Sequence, residues 1–116
     1  MGRAKEEPQK AYSVRITKQA LNSVDQIIGY IGYIMDEPIS SIRVGEQIFL
    51  TIDRIEKNPF AFRECEEIQT KNKMYRKAIC MSWLIIYRIT LKEVVILDII
   101  HSSRQAKRIK SVRKIK

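Results

Sequence analysis

Cysteine is scarce in this chain of 116 residues: Cys65 and Cys80 are the only two, too few for a disulfide framework, and neither lies in a CxxC or near a histidine cluster that would suggest zinc. Four glycines and three prolines exclude a collagen-like or linker-dominated chain. Long apolar runs are missing as well. The longest uncharged stretches, Gln26 to Met35 and Ala78 to Tyr87, are ten residues each, about half of the ~20 that a membrane-crossing helix requires. The N-terminal octet MGRAKEEP holds no apolar segment of the kind that directs secretion. With one histidine and no GxGxxG, P-loop, HExxH or GxSxG motif, ordinary cofactor chemistry is not indicated, and no cofactor or metal is expected. The expectation is a soluble cytoplasmic protein with reduced thiols and no membrane contact.

What the chain has in abundance is positive charge and isoleucine. Lysine and arginine number 22 against 13 acidic residues, a formal charge of +9. A composition 45% apolar and 30% charged is that of one folded domain, and at this length roughly two-thirds of the unfolded chain's surface can be buried. Residues 1–10 read as a flexible, proline-interrupted lead-in, 11–104 as the folded domain and 105–116 as a basic tail or helix. Tyr12, Val14 and Ile16 alternate as on a half-buried strand. From Lys18 the period changes to the three-and-four spacing of an amphipathic helix, carried by Ala20, Leu21, Val24, Ile27, Ile28, Ile31, Ile34 and Met35. Asp36-Glu37-Pro38 ends that helix. Ser40 or Ser41 is expected to cap a second, with Val44, Ile48, Ile52 and Ile55 inward, Ile42 and Phe49 flanking, and Asn58-Pro59 as its stop.

Residues 59–73 show no period and read as a loop. Met74 to Cys80, Trp83 to Thr90 and Val94 to Ile100 read as three strands joined by turns too short for anything but antiparallel neighbours. The last two are apolar on both faces, as central strands are when covered on at least one side, and the helical hairpin is the available cover. The fold class is therefore α+β: a β-α-α-β-β-β order with a helical hairpin on a curved, mainly antiparallel sheet, followed by a tail. That tail holds Arg104, Lys107, Arg108, Lys110, Arg113, Lys114 and Lys116 with no acid after His101. Ile109, Val112 and Ile115 recur every three residues, so the segment can dock an apolar edge and turn its bases outward.

His101 and Arg104 fall at one end of the sheet, either as a solvated strand end or as an anion site. Arg76 and Lys77 point to opposite faces of the second strand. With Lys71 and Lys73 nearby, whichever points away from the helices would give the uncovered face a concave basic floor suited to phosphate. Asp98 interrupts an apolar strand and needs a basic neighbour, for which Arg88 is the candidate. Trp83 and Tyr87 share a face, as core or as a stacking platform. Cys80 is expected buried and Cys65 exposed.

The series Tyr75-Arg76-Lys77-Ala78-Ile79, then Trp83-Leu84-Ile85-Ile86-Tyr87-Arg88-Ile89, then the last strand ending His101-Ser102-Ser103-Arg104 resembles the C-terminal half of the RelE/ParE superfamily of bacterial toxins. The strand YSVRIT and the second helix closed by Asn58-Pro59 extend the resemblance over about Tyr12 to Arg104. It implies a toxin of a type II toxin–antitoxin system neutralised by a cognate antitoxin, which for a +9 chain would be acidic. It also leaves room for a homodimer through the surface an antitoxin would cover.

Two activities divide that superfamily. ParE-like members bind DNA gyrase and have no hydrolytic chemistry; here the resemblance places the effector surface among Lys71, Lys73, Arg76, Arg104, Lys107 and Arg108. RelE-like members are ribosome-dependent, metal-independent messenger ribonucleases, and on that reading His101, Arg104 and Arg76 are the catalytic set. The ribonuclease pattern is broken twice: Leu84 stands where those enzymes carry an arginine, and no tyrosine follows Tyr87. The HxxR ending and the LIIYRI strand look more ParE-like. A third reading, a non-toxic module on the same fold, would bind nucleic acid through the tail.

Overall fold

The computed structural model describes residues 12–104 and 106–116, so the lead-in at 1–10, Ala11 and Gln105 lie outside the described residues. Strand β1 (Ser13–Ile16) runs into helix α1 (Lys18–Gly29). Thr17 makes the junction: its hydroxyl accepts from the Ala20 amide at 3.0 Å as an N-cap and donates to the Leu97 carbonyl at 2.9 Å, fastening the helix start to the sheet. The helix was expected to continue to Met35, but beyond Gly29 it widens into a π turn (Tyr30–Ile34), whose Met35 amide reaches the Tyr30 carbonyl. Asp36 then adopts φ 56° and reverses the chain.

Helix α2 (Pro38–Lys57) starts at its proline, earlier than the expected Ser40 or Ser41 cap. Proline suits the first helical position because its missing N–H would have had no partner there. Ser41 is buried, and its hydroxyl donates to the Ile28 carbonyl across the hairpin at 2.8 Å, so it joins the two helices. Gly45 lets the helices approach: a Cβ there would lie 3.0 Å from the Ile28 Cδ1. The inward stripe Val44, Ile48, Ile52 and Ile55 is buried as expected, while Ile42 and Phe49 are exposed.

Strands β2 (Tyr75–Cys80), β3 (Trp83–Ile89) and β4 (Glu93–His101) form the expected antiparallel meander, and β1 adds to β4 in parallel, giving the sheet order β1-β4-β3-β2. One irregularity matters. The β3–β4 register shifts between the pairs Ile86↔Asp98 and Tyr87↔Ile96, so Leu97 is an extra residue. That bulge exchanges the strand's inward and outward parity: Val94 and Ile96 face the helices on one side of it and Ile99 does so on the other.

The far face of the sheet is also covered. Leu84, Ile86, Val95, Leu97 and Ile100 pack there against Cys65 and Ile68 of the long loop and against Ile109 and Val112 of the tail, forming a second core. The tail is helical over α3 (Ala106–Lys110) and a short 3-10 turn (Ser111–Lys114), and its last carbonyl accepts from Arg15 of β1 at 2.9 Å. The uncovered basic floor expected from the sequence is therefore not present. Strands apolar on both faces need cover on both, and the loop and tail supply the second. Cys65, expected exposed, is fully buried for the same reason, and burial, with the Glu67 carboxylate beside it, pushes its thiol up to about 11.

Candidate functional site

The strand ends at Trp83 and His101, which are register partners, lie beside the helical hairpin. His101 stacks edge-on to Trp83 with ring centroids 5.9 Å apart, and its Nδ1 accepts from the Ser103 amide at 3.1 Å. The Arg104 amide returns to the His101 carbonyl at 3.0 Å, closing a turn that swings the chain from β4 toward α3. Beneath that turn Asp98 is fully buried. Its carboxylate accepts from Ser23 of α1, from the Ile99 amide at 2.8 Å and from Arg108 of the tail at 3.1 Å. The expected partner Arg88 is instead opposite Val95, because the bulge re-aims Asp98 toward the helix and the tail.

Between α1, the π turn, the start of α2 and this strand end lies a cleft of about 880 Å³. Its floor is apolar, from Ile27, Ile31, Val44, Trp83 and Ile99, and its rim holds Arg104 and Arg108 on the strand side and Glu37 on the helix side. The apolar surface does not stop there. Around the hairpin tip Tyr33 is 88% exposed, Ile34 72% and Ile39 73%, with Tyr30, Met35 and Ile42 also exposed. Side chains of this kind gathered in one region mark a docking surface. The signal was in the sequence: the uncharged run Gln26–Met35 has more apolar residues than an inward stripe needs.

Of the residues singled out in the sequence, His101, Arg104, Lys107 and Arg108 come together at this end. Lys71, Lys73 and Arg76 do not. Arg76 pairs with Tyr87 and His101 with Trp83 along β3, which separates the groups by about 13 Å of strand. Arg76 is also engaged: it donates to the Phe62 carbonyl and the Lys73 carbonyl, both at 2.9 Å, and lies over the Phe60 ring. It clasps the loop after α2 to the sheet. Lys77, the residue that does point to the far face, is buried in an ion pair with Glu67 at 3.1 Å. That pairing holds the Glu67 carboxyl low against the opposing effect of its own partial burial. Leu84, 8% exposed, is part of the second core. Trp83 and Tyr87 do share a face, the helix side. Tyr87 is core, its hydroxyl donating to the Pro59 carbonyl at 2.6 Å, and burial raises its pKa far above the ordinary tyrosine range. The catalytic trio His101, Arg104 and Arg76 is thus not assembled.

A family model described as the ParE toxin of the type II toxin–antitoxin system, parDE, matches residues 14–106, most of the chain. The chain belongs to the ParE toxin family. The fold of this ParE-family toxin is shared by solved structures of low sequence identity. A chain of the chromosomal ParDE toxin–antitoxin system from P. aeruginosa superposes with a TM-score of 0.63 at 20% identity, covering 78% of this toxin and 95% of that chain. A chain of the toxin–antitoxin complex RelBE2 from Mycobacterium tuberculosis does so with a TM-score of 0.53 at 18% identity, covering 79% and 99%. No curated protein sequence matches it significantly. The α+β architecture read from the sequence is therefore that of the superfamily.

Proposed function

We propose that this toxin acts by binding DNA gyrase rather than by cutting RNA, and that a cognate antitoxin neutralises it by laying an amphipathic segment in the helical cleft. The separation of Arg76 from the His101–Arg104 turn carries the first half. A metal-independent ribonuclease must gather cations and a proton carrier around one phosphate; here Arg76 is committed to backbone carbonyls and Leu84 is in the core. The cleft supports the second half. Its apolar floor beside two arginines suits a segment with an apolar face and acidic flanks, and the folds related to this one come from toxin–antitoxin systems.

The test is biochemical. Purified toxin is expected to inhibit gyrase supercoiling of relaxed plasmid while leaving messenger RNA intact in a translating extract. Unimpaired supercoiling at molar excess of toxin, or cleavage of the messenger lost on Arg104→Ala, would reverse the assignment.

A further inference from the structure

A second groove, of about 580 Å³, adjoins the helical cleft, sharing Ser103, Arg104 and Arg108 with it and adding Lys107 and Ser111. We infer that this groove binds the phosphate backbone of a nucleic acid directly, independently of sequence and of whether gyrase is the target. Three observations carry it.

The tail is a docked element and not a loose string of charges. Ile109 and Val112 are buried in the second core, Arg108 is tied to Asp98, and the Lys116 carbonyl accepts from Arg15. The backbone that carries its cations is therefore fixed before a ligand arrives, which lowers the ordering cost of binding.

No carboxylate among the described residues pairs with Arg104 or Lys107, although ion pairs elsewhere engage Arg15, Lys77 and Arg108. Both are exposed, beside Ser103 and Ser111, whose hydroxyls are engaged within the turn by His101 Nδ1 at 2.7 Å and by the Arg108 carbonyl at 2.6 Å. Arginine and lysine side chains without a carboxylate partner, facing one groove, are the group types that contact phosphate oxygens.

The apolar content of the tail faces inward. Among residues 101–104 and 106–116 there is no exposed large apolar side chain. A peptide partner or a membrane surface would need apolar anchors as well as charge, whereas a polyphosphate backbone needs charge and donors alone. The helical cleft, with its apolar floor, is the contrasting case.

The experiment is fluorescence anisotropy of a labelled 20-base-pair duplex titrated with the full chain across a salt series. Binding is expected to weaken with salt, and Arg104→Ala combined with Lys107→Ala is expected to flatten the slope of log K against log salt by about 2, near 0.9 for each phosphate that is no longer neutralised. Lys57→Ala with Lys92→Ala removes the same charge from exposed positions away from the groove and is expected to leave the slope unchanged. A single-stranded RNA of equal length reports whether the site prefers a duplex; a flatter slope for the Arg104–Lys107 variant than for the control variant on either nucleic acid supports the site. Equal slopes for the two double variants would mean diffuse attraction with no site. Equal affinity for a poly-glutamate of matched charge would mean that the groove takes any polyanion. Either result overturns the inference.

Discussion

Arg108→Ala is the most informative single substitution, because Arg108 is the one cation on the fully buried Asp98 carboxylate among the described residues. After truncation Asp98 keeps its hydrogen bonds from Ser23 and the Ile99 amide but loses its counter-charge. Removing one partner of a fully buried ion pair costs about 3–5 kcal/mol. The Arg108 side chain is 42% exposed, however, so its charge is screened by water, and the cost falls toward that of a charged hydrogen bond, about 2 kcal/mol. For a domain of this size that corresponds to a fall in Tm of about 8 °C. Urea unfolding followed by far-ultraviolet circular dichroism measures it, as a double-mutant cycle with Asp98→Asn. In the Asp98→Asn background the buried charge is gone, and Arg108→Ala is expected to cost less than about 0.5 kcal/mol beyond lost packing. A wild-type background cost below about 0.5 kcal/mol, or equal costs in both backgrounds, would refute the claim that this pair fastens the tail to the sheet.

Gly29→Ala is expected to raise stability by about 0.5–1 kcal/mol in the same unfolding assay, since a Cβ there meets nothing within 4 Å and alanine loses less backbone entropy in a helix. Tyr87→Phe removes the donor to the buried Pro59 carbonyl and is expected to destabilise by about 1–2 kcal/mol in thermal melts. Both thiols are buried, so a disulfide reagent at pH 8 should label neither Cys65 nor Cys80 in the native chain and both in urea. Because the Cys65 pKa is raised from 9.0 to about 11 in the fold, the folded state holds the proton more tightly. Its contribution is complete below pH 9 and lost as pH rises from 9 through 11, so Cys65→Ser should flatten the alkaline loss of stability. Tyr30→Ser with Met35→Ser, two exposed residues lining the helical cleft, should leave Tm within about 2 °C while weakening antitoxin binding at least tenfold by calorimetry.

Much of the fold was legible because periodicity reports which side of an element is dry. The stripe Val44, Ile48, Ile52 and Ile55 could not be satisfied except against a core, and the runs at 84–89 and 94–100, apolar on both faces, rich in β-branched residues and joined by short turns, read as central strands. Errors arose where a residue's partner is remote in the chain. Ser41 has the chemistry of a cap, yet its acceptor is Ile28 on the preceding helix. Cys65 lies in a charged, aperiodic segment, and only the covering of the far face buries it. The candidate site was half legible: the His101–Arg104 turn and the tail cations do converge, whereas Lys71, Lys73 and Arg76 belong to the other end of the sheet.

By itself, then, the order of residues determined the elements, their sequence in space along the meander, the excess of positive charge and its concentration beyond His101. Only the tertiary structure decided which cations are committed and which face a ligand. One extra residue at Leu97 turns Asp98 away from Arg88 and toward Arg108, and four steps of register along β3 part Arg76 from His101. Local pattern fixes the direction of a side chain relative to its own strand. Its partner depends on bulges, registers and coverings contributed by segments tens of residues away, and no short window of sequence contains them.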